Sequence, residues 1–468
     1  MIFSSYPFLL VFLPVMLLVF AVCRRLGRPE WAIAGLLLGS VVFYLAWSWR
    51  DGAVLLGSIL FNYAVGQRQA PTPSKRWLSV AVTGNLAVLL YFKYAAFLLA
   101  FLPDTQALQF VLPLGISFFT FQQIAWQVDL YQRRITADSG IARYALFVSF
   151  FPQLIAGPIV HARTIIPKLT RAWLARPLPW TLGMSLLCVG LAKKVLLADS
   201  LAPGVDALFS AAAGGQALDA LQVATAAFGY GLQLYFDFSG YADMAIGLGL
   251  LFGLRFPTNF RTPYRSVSVV EFWRRWHITL SHFLRDYLYA PLGGNQVGPV
   301  RRSFNLAVTM LLGGLWHGAG WQFVVWGGLH GLMLAVAHAW RRGGGLRIPS
   351  WLAWSLTLCA VMLAWVPFRA ASLEVALAMY GGLLTLPSAF TLPTFELLLT
   401  ELVQQQVIGG LIWVIPPLLV LATLGRNSLQ CCLSLGDRAR GAVCVALMLM
   451  VLKALAERPD RAFLYFNF

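Results

Sequence analysis

The sequence predicts an all-α polytopic membrane protein, and three observations carry that prediction. Hydrophobic residues make up 59% of the 468 residues and charged residues 11%, whereas a soluble domain carries about 25% charged residues. The apolar runs are long and continuous, unlike the alternating strands of a membrane β-barrel. Since one span needs about 20 apolar residues, we expect about 11–13 membrane segments, at least one of them re-entrant.

The N-terminal part of the chain contains five predicted spans separated by short polar loops. They cover residues 1–22, 31–49, 54–65, 77–102 and 110–130. Arginines follow the first span and none precedes it, which indicates an uncleaved helix with its N-terminus outside. The fifth span carries polar side chains that need partners in a membrane, so we expect it to face the protein interior. These are Ser117, Thr120, Gln122, Gln123, Gln127 and Asp129.

Residues 141–160 are predicted to form a broken or re-entrant segment. Phe151-Pro152-Gln153 interrupts the apolar run, and basic residues lie on both of its flanks. A full crossing would place one of these basic flanks on the outer side, against the usual excess of Lys and Arg in cytoplasmic loops. Non-helical backbone at membrane depth is tolerated where it is buried in protein.

The remaining apolar runs complete the predicted bundle. They cover residues 178–198, 221–236, 244–254, 304–317, 321–340, 351–367, 373–386, 407–424 and 441–455. Asp237 and Asp243 are expected at a break between two of these runs. Residues 259–302 are the longest stretch without a clean span and are amphipathic, aromatic and rich in arginine.

The net charge of +17 is spread over short basic clusters between the spans. We interpret it as the excess of Lys and Arg on the cytoplasmic side, with attraction to anionic lipid, rather than as nucleic-acid binding. No internal repeat or separate soluble domain is visible, so we expect a single integral membrane domain over residues 1–468. The missing repeat weakens a transporter interpretation, because many transporters contain repeats.

The sequence predicts neither a metal site nor a bound cofactor. Four of the six cysteines are isolated, the other two are adjacent, and no CxxC spacing occurs. The histidines show no HxxxH, HExxH or HxH spacing, and nucleotide-binding signatures are absent. A GxSxG motif is also missing, which disfavours a hydrolase with a serine nucleophile.

His317 is the first candidate for chemistry. It follows a long apolar run, and Gly318 and Gly320 behind it permit close approach of a ligand or a helix. Burial disfavours the charged imidazolium, so a neutral imidazole is available as a general base for a hydroxyl. The alternative is a core histidine that hydrogen-bonds to a carbonyl.

His277 is the second candidate, because Arg274, Arg275 and Trp276 precede it directly. The neighbouring guanidinium groups favour its neutral form, which is suited to orienting a substrate or polarising a carbonyl. An amphipathic interfacial helix anchored by Trp and Arg is the alternative. The other histidines are interpreted as packed, interfacial or solvated, and the nearby aspartates as partners of arginines in structural ion pairs. These residues are His161, His282, His330 and His338, and Asp237, Asp243 and Asp286.

Four motifs in order resemble those of the membrane-bound O-acyltransferases. They are Pro113-Leu114-Gly115-Ile116-Ser117-Phe118-Phe119-Thr120-Phe121-Gln122, Phe151-Pro152-Gln153-Leu154-Ile155-Ala156-Gly157-Pro158, Phe272-Trp273-Arg274-Arg275-Trp276-His277-Ile278-Thr279-Leu280-Ser281 and Leu315-Trp316-His317-Gly318. The bacterial branch that contains the alginate O-acetylases and the D-alanyl transferase of teichoic acids is the more similar one. Phe3-Ser4-Ser5 and the run from Arg285 to Gly294 resemble the alginate O-acetylase type. The resemblance covers residues 1–370, and residues 371–468 add only C-terminal helices.

The resemblance implies a ring of tilted helices around a central funnel and an acyl transfer across the membrane. In the acyl transfer that the resemblance implies, His317 is the catalytic base and His277 assists. An acetyl thioester such as acetyl-CoA is the implied co-substrate, with no cofactor bound. The expected donor-binding residues are Arg274, Arg275, Trp316, Ser281 and Asp286.

The resemblance further implies a multi-pass protein of the bacterial inner membrane that works with periplasmic acetyltransferase partners. The polysaccharide acceptor is expected to be alginate, with acetylated cellulose or another cell-surface polymer as alternatives. A transporter or flippase would use the same histidines as a proton relay, and a catalytically silent scaffold is the third reading.

Overall fold

The computed structural model describes residues 1–99, 112–137, 140–345, 348–385, 406–457 and 461–467. Every regular element in these ranges is a helix, which confirms the predicted all-α class. The loop between the predicted spans 77–102 and 110–130 lies outside the described part of the chain.

Six described helices are long and apolar enough to cross a membrane, or seven if one bent pair forms a single span. The six are Pro7–Leu26, Lys75–Leu99, Trp180–Ala213, Trp321–Arg342, Ser350–Arg369 and Asp437–Glu457, and the pair is Leu411–Leu424 with Ser428–Ser434. The predicted total of 11–13 membrane segments also counts other helices. These are Pro29–Leu45, Trp49–Gln69, Ile116–Tyr131, Ala220–Leu251, Pro299–His317 and Leu373–Gly382. The protein is therefore a multi-span membrane protein.

The segment at 141–160 is broken, as predicted. Helix Ile141–Ser149 ends where Phe150 leaves helical geometry, and a four-residue helix, Phe151–Leu154, follows. Nine helical residues extend about 14 Å, which is too short for a hydrocarbon core of about 30 Å. The Phe151 amide donates to Ser40 Oγ at 3.2 Å, so this freed backbone group finds a partner inside the protein.

The polar helix Ile116–Tyr131 faces the protein interior, which confirms that prediction. All six of its predicted polar side chains are buried. Gln123 Nε2 donates to Ser58 Oγ and Gln127 Nε2 donates to the Asn62 carbonyl, both at 2.8 Å. Gln123 and Gln127 are thus paired with groups of the neighbouring helix Trp49–Gln69.

The predicted break at residues 237–243 is wrong, because Ala220–Leu251 is one continuous helix of 32 residues. Asp237 does not interrupt it, since Lys194 Nζ lies 2.9 Å from its carboxylate. The same ammonium lies 2.7 Å from Asp199, and the side chains of Lys194 and Asp237 are each 2% exposed. Asp237 was expected to pair with an arginine, but it pairs with a lysine from helix Trp180–Ala213. That helix continues past its predicted end at residue 198.

The described chain forms two compact units. The first unit comprises residues 1–192, 240–258 and 428–467, and the second comprises residues 193–239 and 259–427. The second unit contains Lys194 with its partners Asp199 and Asp237, and both candidate histidines.

Helices Pro299–His317 and Trp321–Arg342 of the second unit cross at glycines. A Cβ on Gly314 would lie 2.3 Å from the Phe323 carbonyl oxygen, and a Cβ on Gly327 would lie 2.3 Å from the Met310 carbonyl oxygen. Both contacts are with backbone atoms, so only glycine permits this approach. The crossing fixes the helix that ends at His317.

Gly327→Ala is therefore expected to destabilise the protein by about 1–3 kcal/mol, because the new methyl group forces the two helices apart. Thermal unfolding of the detergent-solubilised protein measures the effect. Gly328→Ala is the matched control, since its Cβ would meet only Leu311 Cδ2 at 3.6 Å, an ordinary contact. Equal unfolding temperatures for the two variants would contradict the prediction.

Candidate active site

His277 lies at a sharp turn between two short helices, Val269–Trp273 and Ile278–Leu284. It caps the second helix with a left-handed backbone, at φ 40° and ψ 54°. Such a conformation is uncommon for a residue with a side chain and persists only where the surroundings enforce it. Strain of this kind is concentrated at functional sites.

Asn259 holds the His277 turn in place. The Ile278 amide donates to the Asn259 carbonyl at 2.9 Å. The Asn259 Oδ1 atom accepts from the Thr279 amide at 3.2 Å and from the Thr279 hydroxyl at 2.9 Å. The His277 Nδ1 atom lies 3.3 Å from the same oxygen. Asn259 is fully buried, so these contacts are shielded from solvent.

The Asn259 contacts determine which ring nitrogen of His277 carries the proton. A backbone amide can only donate, so the Thr279 amide requires an oxygen at the Oδ1 position. His277 Nδ1 faces that oxygen and is therefore the protonated nitrogen. In the neutral ring the lone pair is then on Nε2. His277 lies outside the six candidate spans, and burial lowers its pKa, so the neutral form prevails.

His317 is the last residue of helix Pro299–His317. The helix ends there because Gly318 is extended, and a Cβ on Gly318 would meet the Phe323 ring at 2.1 Å. The imidazole is 5% exposed and packs edge-on against Trp326 and Phe368, with ring centroids 5.1 Å away in each case.

Trp316 brings the two candidate histidines into one cluster. Its ring centroid lies 4.9 Å from that of His317 and 6.3 Å from that of His277. On the other side of His277, Phe238 packs edge-on at 4.8 Å. The two imidazoles thus share one aromatic neighbour within a buried site of the second unit.

A third buried histidine, His330, adjoins this cluster. Trp326 contacts the His317 ring at 5.1 Å and the His330 ring at 4.8 Å. His330 Nδ1 accepts a hydrogen bond of 3.3 Å from Trp273 Nε1. The sequence favoured a packed or interfacial His330; the structure makes it a packed residue, with Trp326 as its link to His317. His330 is 13 residues after His317 and lies on a separate helix, so no helical periodicity in the sequence links the two histidines.

The expected donor-binding residues have mainly local contacts, apart from Trp316. Arg275 pairs with Glu271 at 2.7 Å, whereas Arg274 is exposed. The Ser281 hydroxyl lies 3.5 Å from the Trp276 carbonyl, and Asp286 pairs with Arg285 at 2.7 Å. Their role in donor binding stays a prediction.

The remaining histidines and carboxylates lie in other surroundings. His282 is exposed and His338 contacts Arg302 at 2.9 Å. Asp286 is in an ion pair with an arginine, as predicted, and Asp243 accepts a hydrogen bond from Ser428. Sequence reasoning missed Asn259, whose role depends on a contact 18 residues along the chain.

The fold and the site define an all-α membrane protein with two histidines buried among aromatic rings. Residues 132–346 match MBOAT, the membrane-bound O-acyltransferase family. The chain belongs to this family, and it is accordingly an acyltransferase.

Three relatives show how far the similarity extends. The chain is 40% identical to a peptidoglycan O-acetyltransferase of Helicobacter pylori, over 82% of this chain and 80% of the relative. It is 41% identical to a probable alginate O-acetylase of Azotobacter vinelandii, over 82% and 78%. The probable alginate O-acetylase of Pseudomonas aeruginosa is also 41% identical, over 82% and 75%.

Proposed function

We propose that this protein is an inner-membrane O-acetyltransferase that moves acetyl groups from a cytoplasmic thioester donor for the O-acetylation of an exopolysaccharide. The observation that carries the proposal is the buried pair of His277 and His317 around Trp316. A buried site protects a thioester from hydrolysis, because water is excluded from the reacting carbonyl. Alginate is the leading polymer, as in the relatives named probable alginate O-acetylases.

In the proposed mechanism, His317 removes the proton from the acceptor hydroxyl, whose oxygen attacks the acetyl carbonyl. The tetrahedral intermediate collapses, the C–S bond breaks, and the proton passes to the leaving thiolate. The products are an acetyl ester and a free thiol. The acceptor in this step is a hydroxyl of the polymer or of a carrier.

His277 is assigned the positioning of the acceptor. Its Nε2 lone pair accepts a hydrogen bond from a hydroxyl, which orients that group for His317. A neutral ring protonated on Nδ1 has no N–H on Nε2 to donate to a carbonyl or an oxyanion, so we assign positioning rather than polarisation of the carbonyl to His277. Arg274 is exposed and so available for donor phosphates, whereas Arg275 is already engaged by Glu271.

We further propose that periplasmic acetyltransferase partners complete the transfer to the polymer. Peptidoglycan is the second candidate acceptor, because the Helicobacter pylori relative aligns over 82% of this chain. Acetylated cellulose and other cell-surface polymers are further alternatives. These acceptors share secondary or primary hydroxyls on sugar rings.

The purified protein in lipid nanodiscs tests the proposal, with acetyl-CoA labelled in the acetyl group as donor. Release of free thiol and transfer of label to added alginate oligomers would support the proposal. Peptidoglycan fragments and cello-oligosaccharides are compared in parallel to identify the acceptor. Absence of thiol release and of labelled product with all acceptors, in the presence of periplasmic extract, would contradict it.

Asn259→Asp is expected to retain transfer but to move the acidic limb of its pH profile upward by roughly one unit or more. A carboxylate accepts from the same three donors as Asn259, and its charge favours the imidazolium form of His277. On acidification, His277 therefore loses its neutral, active form at a higher pH than in the wild type. Initial rates between pH 3 and 8 measure the shift, because burial lowers the pKa of His277 to about 3 in the wild type.

Thr279→Val is the control for Asn259→Asp. It removes one donor to Asn259 Oδ1 but leaves the His277 contact in place. Its pH profile should match that of the wild type. An unshifted pH profile for Asn259→Asp would show that Asn259 has only a structural role and does not influence the protonation of His277.

A further inference from the structure

A cavity of about 540 Å³ lies in the first compact unit, apart from the residues assigned to catalysis. Its walls come from the end of helix Ile116–Tyr131, the loop after it, helix Ile141–Ser149 and residues 162–170. Arg134, Arg143 and Arg163 line it. The chain thus brings together guanidinium groups that are up to 29 positions apart in the sequence.

The positive charge of this cavity is poorly compensated. No acidic side chain is among its described lining residues. Arg134 has an ion pair of 3.4 Å with Asp129, and Arg143 one of 3.7 Å with Glu30. The Arg163 side chain is exposed and forms no hydrogen bond or ion pair with another described residue. An anion would therefore be attracted to this cavity.

Lys168, next to the cavity wall, adds a further cation to this part of the protein. Burial, followed by the nearby cations of Arg176 and Arg255, lowers its pKa. Repulsion between like charges has this effect. The basic surface therefore extends beyond the three arginines that line the cavity.

One of the residues that line the cavity carries a buried hydrogen-bond donor. Trp126 lines it and is 1% exposed. Its Nε1–H has no acceptor among the described residues. A buried donor without a partner costs free energy, so an acceptor atom from a ligand would be favourable here. The hydroxyls of Thr136 and Thr170 also lie on the lining residues.

We propose that this cavity binds the phosphate group of an organophosphate on the cytoplasmic side of the membrane. The planar guanidinium fork matches phosphate oxygens in pairs, which an isolated ammonium does not. The volume is in the range of small-ligand pockets and exceeds what one inorganic phosphate needs. The phosphate is supplied either by an anionic phospholipid headgroup or by a phosphorylated nucleotide such as coenzyme A.

Binding measurements without turnover test this site independently of the proposed acetyl transfer. The delipidated protein in neutral detergent is titrated with phosphatidylglycerol and, separately, with coenzyme A, and native mass spectrometry quantifies the bound species. Arg163→Gln is expected to weaken binding of one of the two by about tenfold. Since Arg163 has no described partner, this change leaves the fold intact.

Arg25→Gln is the matched control, because it removes the same charge from another exposed arginine outside the cavity. A loss confined to phosphatidylglycerol identifies a lipid headgroup as the source, and a loss confined to coenzyme A identifies the nucleotide. Arg163→Glu should weaken the same binding further, because its carboxylate repels the phosphate. Unchanged binding of both ligands in both Arg163 variants, or equal losses in Arg25→Gln, would overturn the proposal.

Discussion

His317→Ala is expected to lower acetyl transfer by roughly 10²–10⁴-fold, the usual contribution of a general base. The imidazole is buried against Trp316, Trp326 and Phe368, and so excluded from bulk water. Water therefore cannot readily replace the lost base. Label transfer from an acetyl thioester, normalised to the amount of folded protein, measures the effect.

His282→Ala is the matched control for His317→Ala. His282 is exposed, and it belongs to the same unit. It should retain transfer close to the wild-type rate, and both variants should remain in the membrane at wild-type amounts. Retained transfer in a folded His317→Ala protein would remove His317 from the catalytic site.

Lys194→Met is expected to destabilise the protein by about 3–5 kcal/mol, the cost of breaking a buried ion pair from one side. The Lys194 ammonium lies 2.9 Å from Asp237 and 2.7 Å from Asp199. Its loss leaves the Asp237 carboxylate buried without its cation. The thermal unfolding midpoint and the fraction of monodisperse protein after solubilisation measure the loss.

Two further variants sharpen the Lys194 experiment. The double variant Lys194→Met with Asp237→Asn should recover part of the stability, because no uncompensated charge remains on Asp237. Lys453→Met removes an exposed pair with Glu457 at 3.8 Å and should change stability by at most about 1 kcal/mol. Wild-type stability of Lys194→Met would contradict the assignment of this cluster as a buried ion pair.

Asp237 shows why the predicted helix break was wrong. A carboxylate in an apolar run is costly unless it is paired, and a sequence does not display its partner. Lys194 is 43 positions earlier in the chain, on another helix. By contrast, the break after Ser149 was predictable, because Pro152 cannot continue a helix through its preceding turn.

The candidate site also has features that the sequence could predict and features that it could not. His277 and His317 were identifiable because polar residues within apolar runs are rare and mark functional sites. Asn259 was not, since an asparagine in a loop has many ordinary roles. The three contacts of its side chain with the His277 turn, and with them the protonated ring nitrogen, follow only from tertiary structure.

The sequence by itself determined the all-α membrane class, the family and the identity of the two histidines, because hydropathy, chain order and local motifs are one-dimensional properties. The tertiary structure alone decided that Trp316 lies beside both imidazoles, that Lys194 neutralises Asp237, and that three arginines line one cavity. The physical reason is that burial, pairing and proton position depend on distances between residues far apart in the chain.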